Sequence, residues 1–169
     1  MSLYSDQPEP EAETIGEWSG PDGLRYEAQS NPPLTTLRAV NHGLDEHNRT
    51  RIGDFTWERL GVFAWDGPER QTLVGGVFGD LVWNWLHIDS LWTSAEQRGR
   101  GVGSALMRHI EEVARERGVV NIHLETTSFQ ALPFYLKLGY EVFGELPDHP
   151  IGSTWYYLRK FGAPLAPQP

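Results

Sequence analysis

The sequence predicts an α/β (α+β) fold, and three observations support this prediction. Several segments alternate apolar and polar residues with a period of two, which is typical of half-buried strands. Other segments carry apolar residues three and four positions apart, which places them on one face of a helix. The third observation is the stretch from Trp83 to Arg117, which combines a strand, a glycine-rich loop and the start of a helix. One domain is expected over residues 24–160, between a flexible acidic lead-in over 1–23 and a flexible tail over 161–169.

The first structured elements are predicted to be a strand and a helix. Residues 24–28 favour a short strand, and the Pro32-Pro33 pair separates it from the next segment. Helical spacing then continues to about Asn48. The apolar positions of this amphipathic helix are Leu34, Leu37, Val40 and Leu44.

Three strands are predicted in the middle of the chain. Residues 60–65 and 72–78 have strand-forming composition, and Asp66-Gly67-Pro68 between them is suited to a hairpin turn. Gly79-Asp80 is interpreted as the next break. Residues 81–93 would then form one unusually long strand, in which a β-bulge is plausible.

Alternation along residues 81–93 suggests a candidate catalytic face. One face would carry Trp83, Trp85, His87, Asp89 and Leu91, and the other, interpreted as core, would carry Leu86, Ile88, Ser90 and Trp92. A histidine and a carboxylate two residues apart on an aromatic wall could each act as, or assist, a general base. The alternative is that His87 and Asp89 are surface residues or hydrogen-bonded structural residues.

The glycine-rich loop from Arg98 to Gly103 indicates an anion site. Apolar residues at 102, 106, 110 and 113 share one face of the helix that follows, and Gly118 is a suitable helix end. The first N–H groups of a helix have no intrahelical partners and attract phosphate groups. Arg98 and Arg100 would add positive charge. The alternative is that these glycines only permit a tight turn.

Two common phosphate-binding motifs do not fit this loop. The dinucleotide fingerprint requires a third glycine where Ser104 or Leu106 stands, and the nucleoside triphosphate loop requires a lysine, which this stretch lacks. The pattern that remains is Arg98-x-x-Gly101-x-Gly103.

The C-terminal part predicts strand, helix, strand and strand. In the strand at 119–126, Asn121, His123 and Glu125 would share one face. A short helix at 129–138 tolerates its proline near the first turn. Strands are predicted at 140–144 and 154–160.

Composition excludes several classes of function. The chain has no cysteine, which rules out disulfides, cysteine metal sites and a thiol nucleophile, and no metal is expected. A net charge of -9 argues against nucleic-acid binding and favours a cationic acceptor. No apolar run is long enough to span a membrane and no signal peptide is recognised, so a cytoplasmic protein without membrane contact is expected. The aromatic content would permit a homodimer interface.

Two separated segments resemble the GCN5-related N-acetyltransferase (GNAT) family. Residues 88–106 combine a strand ending in Leu91-Trp92-Thr93 with the Arg-x-x-Gly-x-Gly loop, and residues 128–140 are similar to the family's Ala-x-x-Phe-Tyr-x-Lys-x-Gly-Phe/Tyr signature. The resemblance covers roughly residues 24–160. It implies a mixed, mostly antiparallel central sheet, splayed at the cofactor strand and flanked by helices.

The resemblance also implies site residues. Acetyl-CoA would be the co-substrate, held by Leu91, Trp92, Thr93, Arg98, Gly99, Arg100, Gly101, Val102, Gly103, Ser104, Ser128 and Tyr135. Tyr135 matches the family tyrosine placed near the thioester sulfur, whose proposed task is to protonate the departing thiolate. The alternative is that Tyr135 only packs in the core beside Phe134. The family often places a glutamate base on the strand before the loop, where this chain offers His87 and Asp89, with Glu125 as a third candidate. Trp83, Trp85 and Glu125 are expected to contact the acceptor substrate.

The function implied is transfer of the acetyl group from acetyl-CoA directly to a primary amine of a small molecule or peptide. Two alternatives remain open from the sequence. One is a non-catalytic acyl-CoA-binding or sensor domain, and the other is a protein-modifying acetyltransferase.

Overall fold

The computed structural model describes residues 11–54, 57–67, 69 and 71–162. The chain divides into two compact units, Met1–Asp54 and Phe55–Pro169. Residues 1–10 of the predicted lead-in and 163–169 of the predicted tail lie outside the described residues. The predicted domain start at residue 24 stays a prediction.

The first unit contains a β-hairpin and a long helix. Strands β1 (Glu13–Ser19) and β2 (Arg25–Ser30) pair antiparallel, and α1 spans Leu34–Ile52. The predicted helix is confirmed, and its apolar positions are exposed. The prediction of a flexible lead-in is wrong for residues 13–19, which form a strand. Their backbone hydrogen bonds come from pairing with β2, and the local sequence pattern gives no sign of this pairing.

The second unit is built on a six-stranded sheet with the strand order β3-β4-β5-β6-β8-β7. Its strands are β3 (Trp57–Asp66), β4 (Thr72–Val82), β5 (Trp85–Thr93), β6 (Asn121–Thr127), β7 (Glu141–Pro147) and β8 (Thr154–Phe161). A short 3-10 turn at Ala95–Gln97 precedes α2 (Val102–Glu116), and α3 spans Leu132–Lys137. Only the β5–β6 pair is parallel among these strands, so the predicted mixed, mostly antiparallel sheet is confirmed.

The chain reverses at a different point from the one predicted. The predicted break at residues 79–80 is wrong, since β4 continues to Val82 and pairs there with Trp85. The two residues between them, Trp83 and Asn84, form the hairpin turn, and Trp83 adopts a left-handed φ of 55°. The predicted strand over 81–93 is therefore the end of β4, a turn and β5.

A β-bulge in β5 changes which residues face the core. Phe78 lies opposite Ser90 and Gly79 lies opposite Ile88, so Asp89 is the extra residue. After the bulge, the residues of β5 point to the opposite faces from those predicted: Leu91 packs on the core and Trp92 is 50% exposed. The predicted bulge is confirmed, but the interpretation of Ser90 and Trp92 as core is wrong, since both are exposed. A Cβ at Gly79 would lie 2.0 Å from the His87 carbonyl oxygen, so only glycine fits there.

Helix α2 and one face of the sheet form the core. The helix buries Leu106, Met107, Ile110 and Ala114, and the sheet contributes Leu86, Ile88, Ile122, Leu124 and Leu158. The buried residues of α2 lie on the helix face that the spacing of apolar residues predicted. None of the described helices has the length and apolar character needed to cross a membrane.

The parallel strands β5 and β6 separate part-way along their length. Their paired residues run from Trp85 opposite Asn121 to Ile88 opposite Leu124. Both strands continue for several residues beyond this last pair, to Thr93 and Thr127. The predicted splay at this strand is confirmed. Beyond it, the backbone groups of β5 and β6 do not hydrogen-bond to each other.

Candidate active site

A cavity of about 540 Å³ lies at the splayed end of β5, the start of α2 and α3. Its lining is Leu91, Trp92, Thr93, Gln97, Arg98, Gly99, Gly101, Val102, Gly103, Ser104, Ala131, Phe134 and Tyr135. Most of these residues were expected to hold the cofactor. Gln97, Ala131 and Phe134 were not, although Phe134 belongs to the Phe-Tyr signature.

The start of α2 has the properties of an anion site. No side chain caps the helix, and the Ala105 N–H donates the first bond, at 3.0 Å, to the Gly101 carbonyl. The N–H groups of residues 102–104 therefore have no intrahelical acceptor. Gly99 and Gly101 have φ values of 73° and 83°, with open space where a Cβ would stand. These features fit a pyrophosphate group bound through backbone donors.

Two predicted cofactor residues lie outside this lining. Arg100 contributes its N–H to the Gln97 carbonyl, at 3.3 Å. Ser128 bonds twice with Thr154: its N–H donates to the Thr154 carbonyl at 2.8 Å, and its Oγ accepts from the Thr154 N–H at 3.2 Å. These contacts give Ser128 a structural role between β6 and β8.

Gly101→Ala is expected to raise the KM for acetyl-CoA about 10- to 100-fold. Alanine is strained at the Gly101 φ of 83°, so the loop would shift the helix N–H donors, worth about 1.5–3 kcal/mol each, away from the anion. Steady-state kinetics with varied acetyl-CoA measure this effect.

Gly118→Ala is the matched control for this experiment. Gly118 has the same φ of 83° but follows the other end of α2. It should lose about 1–2 kcal/mol of unfolding free energy from left-handed strain without a change in KM. An equal rise in KM in both variants would contradict the anion site.

The Tyr135 side chain lines the 540 Å³ cavity. It is buried, and burial raises its pKa to about 12. Among the described residues its hydroxyl has no hydrogen-bond partner, whereas the Tyr140 hydroxyl donates to Glu111 at 2.9 Å. The Tyr135 hydroxyl is therefore available to a molecule in the cavity.

A second pocket, of about 620 Å³, lies along the first half of β5. Its lining is Trp57, Asp80, Val82, Trp83, Trp85, His87, His123, Phe143 and Arg159. Trp83, Trp85 and His87 were predicted from the sequence to face the acceptor, Trp83 from the turn and not from a strand. The aromatic walls with Asp80 would suit an organic cation.

Cross-strand register builds this pocket from two neighbouring rows of side chains. Residues directly opposite one another in a sheet project to the same face. A polar row crosses all six strands and consists of Arg59, Asp80, His87, His123, Arg159 and Glu141. The adjacent row consists of Trp57, Val82, Trp85, Asn121 and Phe161. Both rows lie on the face opposite the buried residues Leu86 and Ile88.

His87 lies within the polar row and is oriented by Glu125. The His87 Nε2 lies 2.7 Å from the Glu125 Oε2, and the His87 ring stacks on His123 with centroids 4.5 Å apart. The hydrogen bond that His87 donates to the Glu125 carboxylate raises the pKa of His87 and lowers the pKa of Glu125. Burial lowers the pKa of His123, and the His87 charge adds to this effect. The arrangement gives His87 a carboxylate partner that orients its ring.

Asp89 is placed differently from His87. It lies in the bulge, with its Oδ2 3.8 Å from an Arg59 nitrogen, while Arg59 makes two bonds of 2.8 Å to Asp80. Glu125 does not line the pocket and contacts it through His87. Of the three base candidates, His87 alone lines the pocket.

Sequence reasoning did not assign Trp57, Asp80, Val82, His123, Phe143 and Arg159 to the site. His123 was placed on the same face as Glu125, but its position beside His87 depends on the parallel register of β5 and β6. A single sequence gives no signal for that register.

Comparison with known proteins identifies the family. A profile of the acetyltransferase (GNAT) family matches residues 28–140. Blasticidin-S acetyltransferase from Streptomyces morookaense is 44% identical over 93 residues, which is 54% of this chain and 68% of that protein. Streptothricin acetyltransferase from Streptomyces lavendulae is 28% identical over 130 residues, which is 70% of this chain and 62% of that protein.

A solved structure agrees with these sequence matches. An acetyltransferase from Bacillus cereus ATCC 14579 has a TM-score of 0.71 and 31% identity, covering 78% of this chain and 95% of that one. The predicted family and its splayed sheet are thereby confirmed. The chain belongs to the GNAT family and is an acetyl-CoA-dependent N-acetyltransferase.

Proposed function

We propose that this enzyme acetylates a basic amine of a small, antibiotic-like molecule. Two relatives named above act, by their names, on blasticidin S and streptothricin. The aromatic lining of the 620 Å³ pocket supports a cationic small molecule, as does the net charge of -9.

The observation that carries this proposal is the arrangement of both cavities along β5. His87 belongs to the pocket on one side of the bulge, and Leu91 to Thr93 belong to the cofactor cavity on the other. Ile88, between them, is the last β5 residue paired with β6. An amine in the pocket would therefore approach an acetyl group held in the splay.

Each residue has a defined task in this mechanism. Bound acetyl-CoA supplies an acetyl group activated as a thioester. His87, held by Glu125, takes a proton from the acceptor ammonium, which frees the nitrogen lone pair to attack. A carbon–nitrogen bond forms, the nitrogen releases its second proton to solvent, the carbon–sulfur bond breaks, and Tyr135 donates its proton to the departing sulfur. His87 and Tyr135 then regain their starting protonation states through solvent.

Thiol release with a panel of amines tests the acceptor class. Blasticidin S, streptothricin, a simple polyamine and a peptide with a free N-terminus are compared at matched concentrations. A kcat/KM that is highest for one of the two antibiotics is the expected result. Preference for the peptide would contradict the proposal and favour the protein-modifying alternative.

Trp85→Ala is expected to raise the KM for the acceptor about tenfold without changing acetyl-CoA binding. Trp85 lines the pocket and packs edge-on against His123 and Phe161, with centroids 5.9 and 5.5 Å apart. Loss of its face removes a cation–π contact of about 1–2 kcal/mol. Calorimetry measures the affinity for acetyl-CoA, and steady-state kinetics with varied amine measure the KM for the acceptor.

Trp65→Ala is the control for this variant. Trp65 lies on β3, is 43% exposed and does not line the pocket. An unchanged acceptor KM in Trp85→Ala would count against an aromatic acceptor wall.

A further inference from the structure

We propose that His87, His123 and Glu125 form a binding site for a divalent transition-metal ion such as Zn²⁺. The sequence predicts no metal, and the site goes beyond the acetyltransferase activity. One ligand atom from each residue lies within 4.8 Å of the other two. Two imidazoles and one carboxylate are a common zinc-binding set, which leaves a fourth position open.

The sheet itself brings these ligands together. His87 and His123 are directly opposite on the parallel strands β5 and β6, and Glu125 is two residues further along β6 on the same face. The two imidazole planes are only 11° apart, so the rings project from the sheet side by side. Such positions on stiff, hydrogen-bonded strands hold the ligand backbones in place.

The distances require only small side-chain movements. Tetrahedral zinc with ligand bonds of about 2.0–2.1 Å needs donor atoms roughly 3.3 Å apart. His87 Nε2 and Glu125 Oε2 are 2.7 Å apart and would open slightly, with the metal replacing the shared proton. Among the described residues, no hydrogen bond ties the ring nitrogens of His123, so rotation of its ring toward the other two donors changes only its contacts with His87 and Trp85.

The surrounding charge favours a cation. Asp80 and Asp89 share the guanidinium group of Arg59, and Arg159 donates to Glu141 at 2.8 Å. The carboxylates of this group, including Glu125, outnumber its two guanidinium groups. Because Glu141 neutralises Arg159, the remaining carboxylates leave the site with a net negative charge.

A bound metal has a consequence that rests on the proposed function. His87 and His123 both line the acceptor pocket. A metal on His87 Nε2 leaves the ring proton on Nδ1, so Nδ1 no longer offers a lone pair to the amine proton, and the ion occupies acceptor space. Zn²⁺ should therefore inhibit acetyl transfer competitively with the amine.

Direct metal binding tests the site independently of activity. Zn²⁺ is titrated calorimetrically into chelator-treated protein without a histidine tag, and Co²⁺ is used to record visible ligand-field bands. About one ion per chain is expected, with affinity lowered more than about 100-fold in His123→Ala and in Glu125→Gln, since even outer-shell changes cost 10–100-fold. His109→Ala is the matched control, because His109 also faces a carboxylate, Glu112, at 3.7 Å on the exposed face of α2.

The outcomes separate the metal site from the proposed function. Absence of saturable Zn²⁺ binding, or equal binding in His123→Ala and the parent, would overturn the site. Acetyl-CoA binding, measured on each variant, shows that the fold is intact. If Zn²⁺ binds as expected but does not reduce turnover, the metal site is supported, and the role of His87 as base is contradicted.

Discussion

Tyr135→Phe is expected to lower kcat about 100- to 10,000-fold while leaving acetyl-CoA affinity unchanged. The phenol contributes a proton to the departing thiolate, and general acids contribute rate factors of this size. Its pKa, raised to about 12 by burial, keeps it protonated throughout the usual assay range. Phenylalanine fills the same buried space. Single-turnover kinetics and calorimetry measure the two quantities.

Tyr140→Phe is the control that separates catalysis from packing. Tyr140 is also buried, and its ring lies edge-on to Tyr135 with centroids 5.9 Å apart. Because its hydroxyl donates to Glu111, the variant should lose about 1–3 kcal/mol of unfolding free energy and keep its kcat. A Tyr135→Phe enzyme with full kcat would remove Tyr135 from the mechanism.

His87→Gln is expected to lower kcat/KM for the amine about 100- to 10,000-fold at neutral pH. Glutamine can accept a hydrogen bond but cannot take the ammonium proton, so the reaction depends on the small fraction of free amine. Assays in the presence of a chelator avoid competition from metal ions. His149→Gln, on an exposed turn beside Trp155, should behave like the parent enzyme.

The pH profile gives a second test of the same residue. His87 must be unprotonated to act as a base, and Glu125 raises its pKa, so the inactive protonated form persists above the ordinary value of 6.5. The acidic limb of kcat/KM should therefore lie above pH 6.5. Glu125→Gln removes the raising contact and should move this limb to lower pH. A limb that does not move would show that His87 is not the group observed.

Local features of the site were accessible from the sequence. The glycine-rich loop, the first turn of α2 and the Phe-Tyr signature each depend on residues close together in the chain. Backbone freedom at Gly101 and helical spacing from Val102 to Val113 are local properties, so the sequence predicts the anion site and the face that α2 buries. The absence of cysteine likewise excludes a thiol nucleophile without any structure.

Strand boundaries were predicted less well where pairing decides them. Residues 79–82 contain glycine and aspartate, which locally favour a break, yet pairing with β3 and β5 on both sides keeps them in β4. The turn falls instead at Trp83 and Asn84. Similarly, the facing of Trp92 could not be derived, because the extra residue Asp89 is defined only by the register with β4.

The sequence by itself determined the fold class and the family and predicted the cofactor loop, because these depend on periodicity and on short motifs. Tertiary structure alone decided that His87, His123 and Glu125 meet, that Arg59 engages Asp80 and Asp89, and that aromatic side chains from several strands line one pocket. The physical reason is register: hydrogen bonding between strands distant in sequence sets which side chains stand opposite one another, and a slip of one residue would place them on the other face.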